Sequence, residues 1–107
     1  MLKHFNMNIS EILEPQDWSF PVPIAYGPGR ISEIGKSCEE LNIKNPLIVT
    51  DRGSKDLPFI ESLKNFLEKS NIQLDVYFKI SPNPKEDEVT GGCNVFKDGN
   101  HDAIIAI

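Results

Sequence analysis

A chain of 107 residues is long enough for one domain with one hydrophobic core and too short for two. With 39% hydrophobic and 25% charged residues, it has the make-up of a globular protein rather than a disordered or membrane-embedded one. A net charge of −5, with Lys and Arg scattered singly, excludes nucleic acid as an expected partner. No run approaches the roughly 18–20 apolar residues that cross a bilayer, so no membrane partner is expected either.

The opening Met-Leu-Lys-His-Phe-Asn-Met-Asn lacks the apolar stretch of a signal peptide. Cys38 and Cys93 belong to no CxxC or Cys/His pattern and read as free thiols of a reducing compartment. The expected location is therefore the cytoplasm. Residues 1–20 read as an N-terminal arm, with Ile9, Ile12 and Leu13 on one amphipathic turn and Trp18 and Phe20 anchoring it. Residues 21–107 read as an α/β domain.

Pro21 to Tyr26 predicts an edge strand or an extended lead-in, because its two prolines cannot donate to a ladder. Gly27-Pro28-Gly29 breaks it. Ile31, Ile34, Cys38 and Leu41 then recur at helical spacing over about 30–42. Pro46-Leu47-Ile48-Val49-Thr50 is short, apolar and β-branched, as a buried parallel strand should be. A turn at Asp51-Arg52-Gly53-Ser54 leads to a second helix over about 58–70, striped by Phe59, Ile60, Leu63, Phe66 and Leu67. Asp56, two residues before Pro58, reads as its start signal. A strand over 73–78 and the loop Ser81-Pro82-Asn83-Pro84 follow.

The third helix, about 85–97, opens on Glu86, Asp87 and Glu88 near its positive end. Gly91 and Gly92 each cost about 1 kcal/mol against Ala within it, which predicts close packing on a neighbour. Asp102 to Ile107 is a last buried strand. Alternating strands and helices predict a Rossmann-like parallel sheet with right-handed crossovers and helices on both faces. Ligands of such sheets bind beyond the carboxyl ends of the strands. That rule selects Asp51, the loop at Pro82–Pro84, and whatever follows Ile107.

Gly27-Pro28-Gly29 with Asp51 downstream imitates a dinucleotide fingerprint, but Ser32 stands where the third glycine belongs and Pro28 removes a backbone N–H. A simple turn into a helix is the better reading. Asp51 can accept both hydroxyls of an adenine ribose and repel a 2′-phosphate; it can equally cap its own turn. Asn83, stiffened by its flanking prolines, can orient a ligand through its amide or serve only as a tight turn. His4 and His101 have no second ligand at metal-binding spacing. The acidic groups Glu39-Glu40 and Glu86-Asp87-Glu88 read as solvated helix faces, and no serine has a nucleophile-elbow context. No catalytic residue and no metal ligand is nominated.

Taken together, Pro23-Ile24-Ala25-Tyr26-Gly27-Pro28-Gly29-Arg30-Ile31, Leu47-Ile48-Val49-Thr50-Asp51, Ser81-Pro82-Asn83-Pro84 and Asp102-Ala103-Ile104-Ile105-Ala106-Ile107 are more specific than any one alone. In this order and spacing they resemble the amino-terminal, cofactor-binding domain of the iron-containing (metal-dependent, group III) alcohol dehydrogenases. In that family the strand resembling 102–107 runs into a Gly-Gly-Gly-Ser loop that holds the cofactor pyrophosphate at a helix N-terminus.

The resemblance implies that Asp51 sits at the adenine ribose, favouring NAD over NADP. It further implies that Pro82 and Asn83 border the cofactor. The family's divalent metal, typically iron, is held by an Asp and three His of a helical carboxy-terminal domain absent from these residues. The implied activity is NAD-dependent, metal-assisted interconversion of alcohols with aldehydes or ketones, with the 107-residue piece inactive alone. A fragment of a related glycerol dehydrogenase or dehydroquinate synthase stays open. So does a non-enzymatic α/β association module that forms a homodimer through its exposed sheet edge.

Overall fold

A computed structural model describes residues 13–19 and 21–107. The expectations for Ile9, Ile12, Phe20 and the Trp18 side chain lie outside the described residues. The chain divides into two compact units between Ser32 and Glu33.

In the first unit, β1 (Gln16–Ser19) pairs antiparallel with β2 (Pro23–Tyr26), Gln16 facing Tyr26 and Ser19 facing Pro23. This overturns the expectation that the strand at 21–26 opens the parallel sheet. A strand directly upstream gives it a local antiparallel partner, and its proline lacks the N–H that a central position requires. Gly29 takes a φ of +74°, a left-handed conformation that favours glycine, and Arg30 N–H closes the turn on the Gly27 carbonyl at 3.3 Å. Arg30 Nη1 donates to the Gln16 carbonyl at 2.6 Å and to Asp17 Oδ1 at 2.5 Å. Gly27-Pro28-Gly29 is therefore a structural turn leading into the 3-10 segment Arg30–Glu33.

The second unit contains α1 (Ile34–Glu40), β3 (Pro46–Asp51), α2 (Pro58–Lys69), β4 (Asp75–Ile80), α3 (Glu86–Asp98) and β5 (Ala103–Ala106). Its three strands form a parallel sheet in the order β4-β3-β5. The two-residue side-chain period divides the sheet into two faces. Ile48, Val76 and Ile105 point toward Cys38 of α1 and Leu63 and Leu67 of α2, forming the core. Tyr77, paired with Val49, lies on the opposite face against Gly91 and Gly92 of α3. Helices thus cover both faces, as the sequence predicts.

The three helices end alike. Asn42, Asn71 and Asn100 each take a left-handed φ between 51° and 57°. The next residue's N–H then reaches back to the helix, Ile43 to Cys38 at 2.8 Å, Ile72 to Leu67 at 3.1 Å and His101 to Phe96 at 3.0 Å. Each is a Schellman closure with Asn in the place glycine usually takes. Using Ile72 in this closure delays β4 to Asp75, two residues beyond the predicted start. Helix α2 begins with Pro58 at its first turn and Leu57 as an uncapped entry, so Asp56 is not the start signal.

Two clusters tie the ends of the sheet. At the amino ends, Lys44 and Asn45 N–H donate to the Asp102 carboxylate at 2.7 and 3.0 Å. His101, its side chain fully buried, sets Nδ1 3.0 Å from the Asn45 carbonyl and Nε2 3.3 Å from Asp75 Oδ2. Gly99 is required there, because a Cβ would stand 2.4 Å from that Nε2. The second cluster, at the carboxyl ends, is built around Glu88.

Candidate functional site

Strand β3 delivers Asp51 to the carboxyl edge of the sheet, where a register irregularity between Val49 and Asp51 loosens the ladder. The Asp51 side chain is exposed and its Oδ1 accepts the Ser54 N–H at 2.7 Å. One carboxylate oxygen therefore caps its own turn, the local role that the sequence also offers for Asp51. Next to it, Arg52 N–H donates to the Ile80 carbonyl at 3.1 Å, joining the ends of β3 and β4. Pro82 and Asn83 lie exposed in the loop that follows β4. Ile107 N–H donates to the Val49 carbonyl at 3.0 Å, so the end of β5 lies beside the same edge.

Glu88, on the first turn of α3, binds these segments together. This corrects its expected place on a solvated face: the side chain is only 9% exposed, whereas Glu86 and Asp87 are exposed. Its Oε2 accepts Ser81 N–H at 3.0 Å, Lys85 N–H at 3.2 Å and, at 3.1 Å, the Ser81 hydroxyl. That hydroxyl alternatively donates to the Asn83 carbonyl at 2.8 Å, since it has one proton to give. Oε1 faces Arg52 Nη2 at 3.8 Å. The Ser81 N–H is the foremost cause holding the Glu88 carboxyl below its usual range, opposed by burial and joined by the Ser81 hydroxyl, Lys85 N–H and Arg52. The missed signal was position: a Glu three residues after the helix entry is where a side chain turns back onto the entry N–H.

Beneath this edge, the Tyr77 hydroxyl donates to the Glu88 carbonyl at 2.5 Å, and the paired glycines of α3 make room for its ring. The close packing predicted for Gly91 and Gly92 is on Tyr77. A cleft of about 630 Å³ lined by Asn45, Glu68, Asn71, Gln73 and Asp75 opens at the other, amino end of the strands. It is shallow and lies away from the edge where parallel sheets bind ligands, so volume alone does not mark the site. No group of three His, Cys, Asp or Glu able to hold a metal ion gathers among the described residues. The described residues do not fit a metal centre.

A three-stranded parallel sheet with helices on both faces and an acidic side chain ending its central strand defines an α/β domain of the Rossmann-like class. The model of the iron-containing alcohol dehydrogenase family matches residues 21–107, and the chain belongs to that family. It is 29% identical over 93 residues to 1,3-propanediol dehydrogenase of Klebsiella pneumoniae, covering 85% of this chain and 24% of that protein. It is 28% identical over 87 residues to NAD-dependent methanol dehydrogenase of Bacillus methanolicus, covering 81% of this chain and 23% of that protein. The crystal structure of a 1,3-propanediol oxidoreductase superposes with a TM-score of 0.72 at 31% identity, over 75% of this chain and 21% of that one. The chain thus spans about a quarter of the length of the curated relatives it matches.

Proposed function

We propose that residues 21–107 are the nucleotide-binding portion of an NAD-dependent, metal-assisted alcohol dehydrogenase acting on a small alcohol or aldehyde. The observation that carries this reading is the convergence of Asp51, Arg52 and the Pro82–Asn83 loop on one strand edge, held by Glu88. In the proposed site Asp51 accepts the adenine ribose hydroxyls and favours NAD over NADP, because a second negative charge beside a carboxylate is repelled. Pro82 and Asn83 border the cofactor, the amide donating and accepting hydrogen bonds from a loop stiffened by proline.

When bound, the nicotinamide carries hydride and a divalent metal, iron by the family's usual choice, polarises the substrate oxygen. The residues described here supply the nucleotide wall and no metal ligand, so these 107 residues bind NAD weakly and do not turn over alcohol unaided.

The test is a titration of the isotopically labelled chain with NAD, followed by amide NMR. Perturbations confined to Asp51–Ser54 and Ser81–Lys85 are expected, with saturation only at millimolar concentration. Binding elsewhere, or none, would overturn the cofactor site. Tight binding by calorimetry, or measurable dehydrogenase turnover, would overturn the claim that these residues are insufficient alone.

A further inference from the structure

Arg52 follows Asp51 directly, and an arginine beside the ribose-binding acid is the side chain that receives a 2′-phosphate. Its backbone is held, since its N–H bonds to the Ile80 carbonyl at 3.1 Å. What it contributes therefore depends on where its guanidinium points. The guanidinium lies 3.8 Å from Glu88 Oε1, toward α3, and remains 63% exposed. Glu88 is itself immobilised by Ser81 and Lys85 N–H on its other oxygen, so it offers a fixed anion rather than a wandering one.

We infer that Glu88 is a specificity-determining residue: by holding Arg52 toward α3, it withholds from a 2′-phosphate the cation that would otherwise receive it. The inference rests on the proposal that Asp51 faces the adenine ribose. Two devices then act against a 2′-phosphorylated nucleotide, repulsion by Asp51 and sequestration of Arg52 by Glu88.

Glu88→Gln separates the role of Glu88 toward Arg52 from its role toward the loop. The amide oxygen can still accept from Ser81 and Lys85 N–H, while the amide NH2 turned toward Arg52 has no charge to hold it. The experiment titrates the full 107-residue chain by amide NMR with adenosine 5′-monophosphate and adenosine 2′,5′-bisphosphate, and reads the ratio of the two affinities. One regained charge-assisted phosphate contact corresponds to about a tenfold shift of the ratio toward the bisphosphate in E88Q. Adding Arg52→Gln to E88Q should abolish the shift.

An unchanged ratio in E88Q, with monophosphate binding intact, overturns the inference and leaves the cofactor reading standing. Failure of the wild-type chain to bind either nucleotide near Asp51 overturns both. Arg52→Gln alone provides a check on an exposed residue that does not endanger folding. If it already lowers bisphosphate affinity several-fold in the wild-type background, the guanidinium is free and the inference fails.

Discussion

The backbone N–H of Ser81 donates to the Glu88 carboxylate at 3.0 Å, so a helix residue holds the loop at the end of β4. That bond leads the interactions that keep Glu88 ionised below the usual carboxylate range. The unfolded chain takes up this proton at a higher pH than the folded one. The stability it contributes is therefore complete above the ordinary carboxylate value and is lost as pH falls through the depressed folded value. Urea midpoints measured between about pH 6 and pH 3 should fall less steeply in E88Q than in the wild type. Asp102, lowered chiefly by the Lys44 N–H, keeps the E88Q slope from vanishing.

Gly91 and Tyr77 give a coupled pair. A Cβ at Gly91 would stand 2.9 Å from the Tyr77 hydroxyl, which its bond to the Glu88 carbonyl prevents from moving aside. Gly91→Ala should therefore destabilise the wild type by about 1–2 kcal/mol despite better helix propensity. With the hydroxyl removed by Tyr77→Phe, the nearest ring atom lies at 3.8 Å, an ordinary contact. In that background the same substitution should stabilise by up to about 1 kcal/mol. A denaturation double-mutant cycle reads the change of sign, and additive effects would refute it.

Thr50 carries a buried hydroxyl with no hydrogen-bond partner among the described residues. The residue is 2% exposed and its Oγ1 is buried, so water does not compensate it. Thr50→Val keeps the shape and β-branching while deleting the orphaned group. A gain of about 1 kcal/mol in chemical denaturation is expected, and a loss of similar size would show the hydroxyl to be satisfied.

The two thiols should differ sharply in reactivity. Cys93 is exposed, whereas Cys38 is 2% exposed and its thiol is pushed up by burial and by the charge of Asp102. At about pH 8, a thiol reagent should label Cys93 at once and Cys38 at least about a hundredfold more slowly, through opening of the fold. Equal rates would contradict the packing of α1 on the core.

Most of the second unit was legible in the residues because its signals are local. Hydrophobic period marks α2 and α3, and the β-branched run at 46–50 marks the central strand. Four separated landmarks located the family, now shown by the match over 21–107. The boundaries were less legible. The Asn closures at 42, 71 and 100 consume residues that periodicity alone assigns to helix or strand.

Sequence by itself determined the fold class, the family, and which strand ends form the candidate edge, because alternation and landmark residues are properties of the chain read in order. Only the tertiary structure decided what long-range pairing decides. It moved 23–26 from the parallel sheet into an antiparallel ribbon, since a strand just upstream offered the nearer partner. It also drew Glu88 out of an acidic run and under the loop. Position three residues past the helix entry is the local sign that sets Glu88 apart and explains its bond to Lys85 N–H, whereas the Ser81 N–H and Arg52 reach its carboxylate from outside the helix.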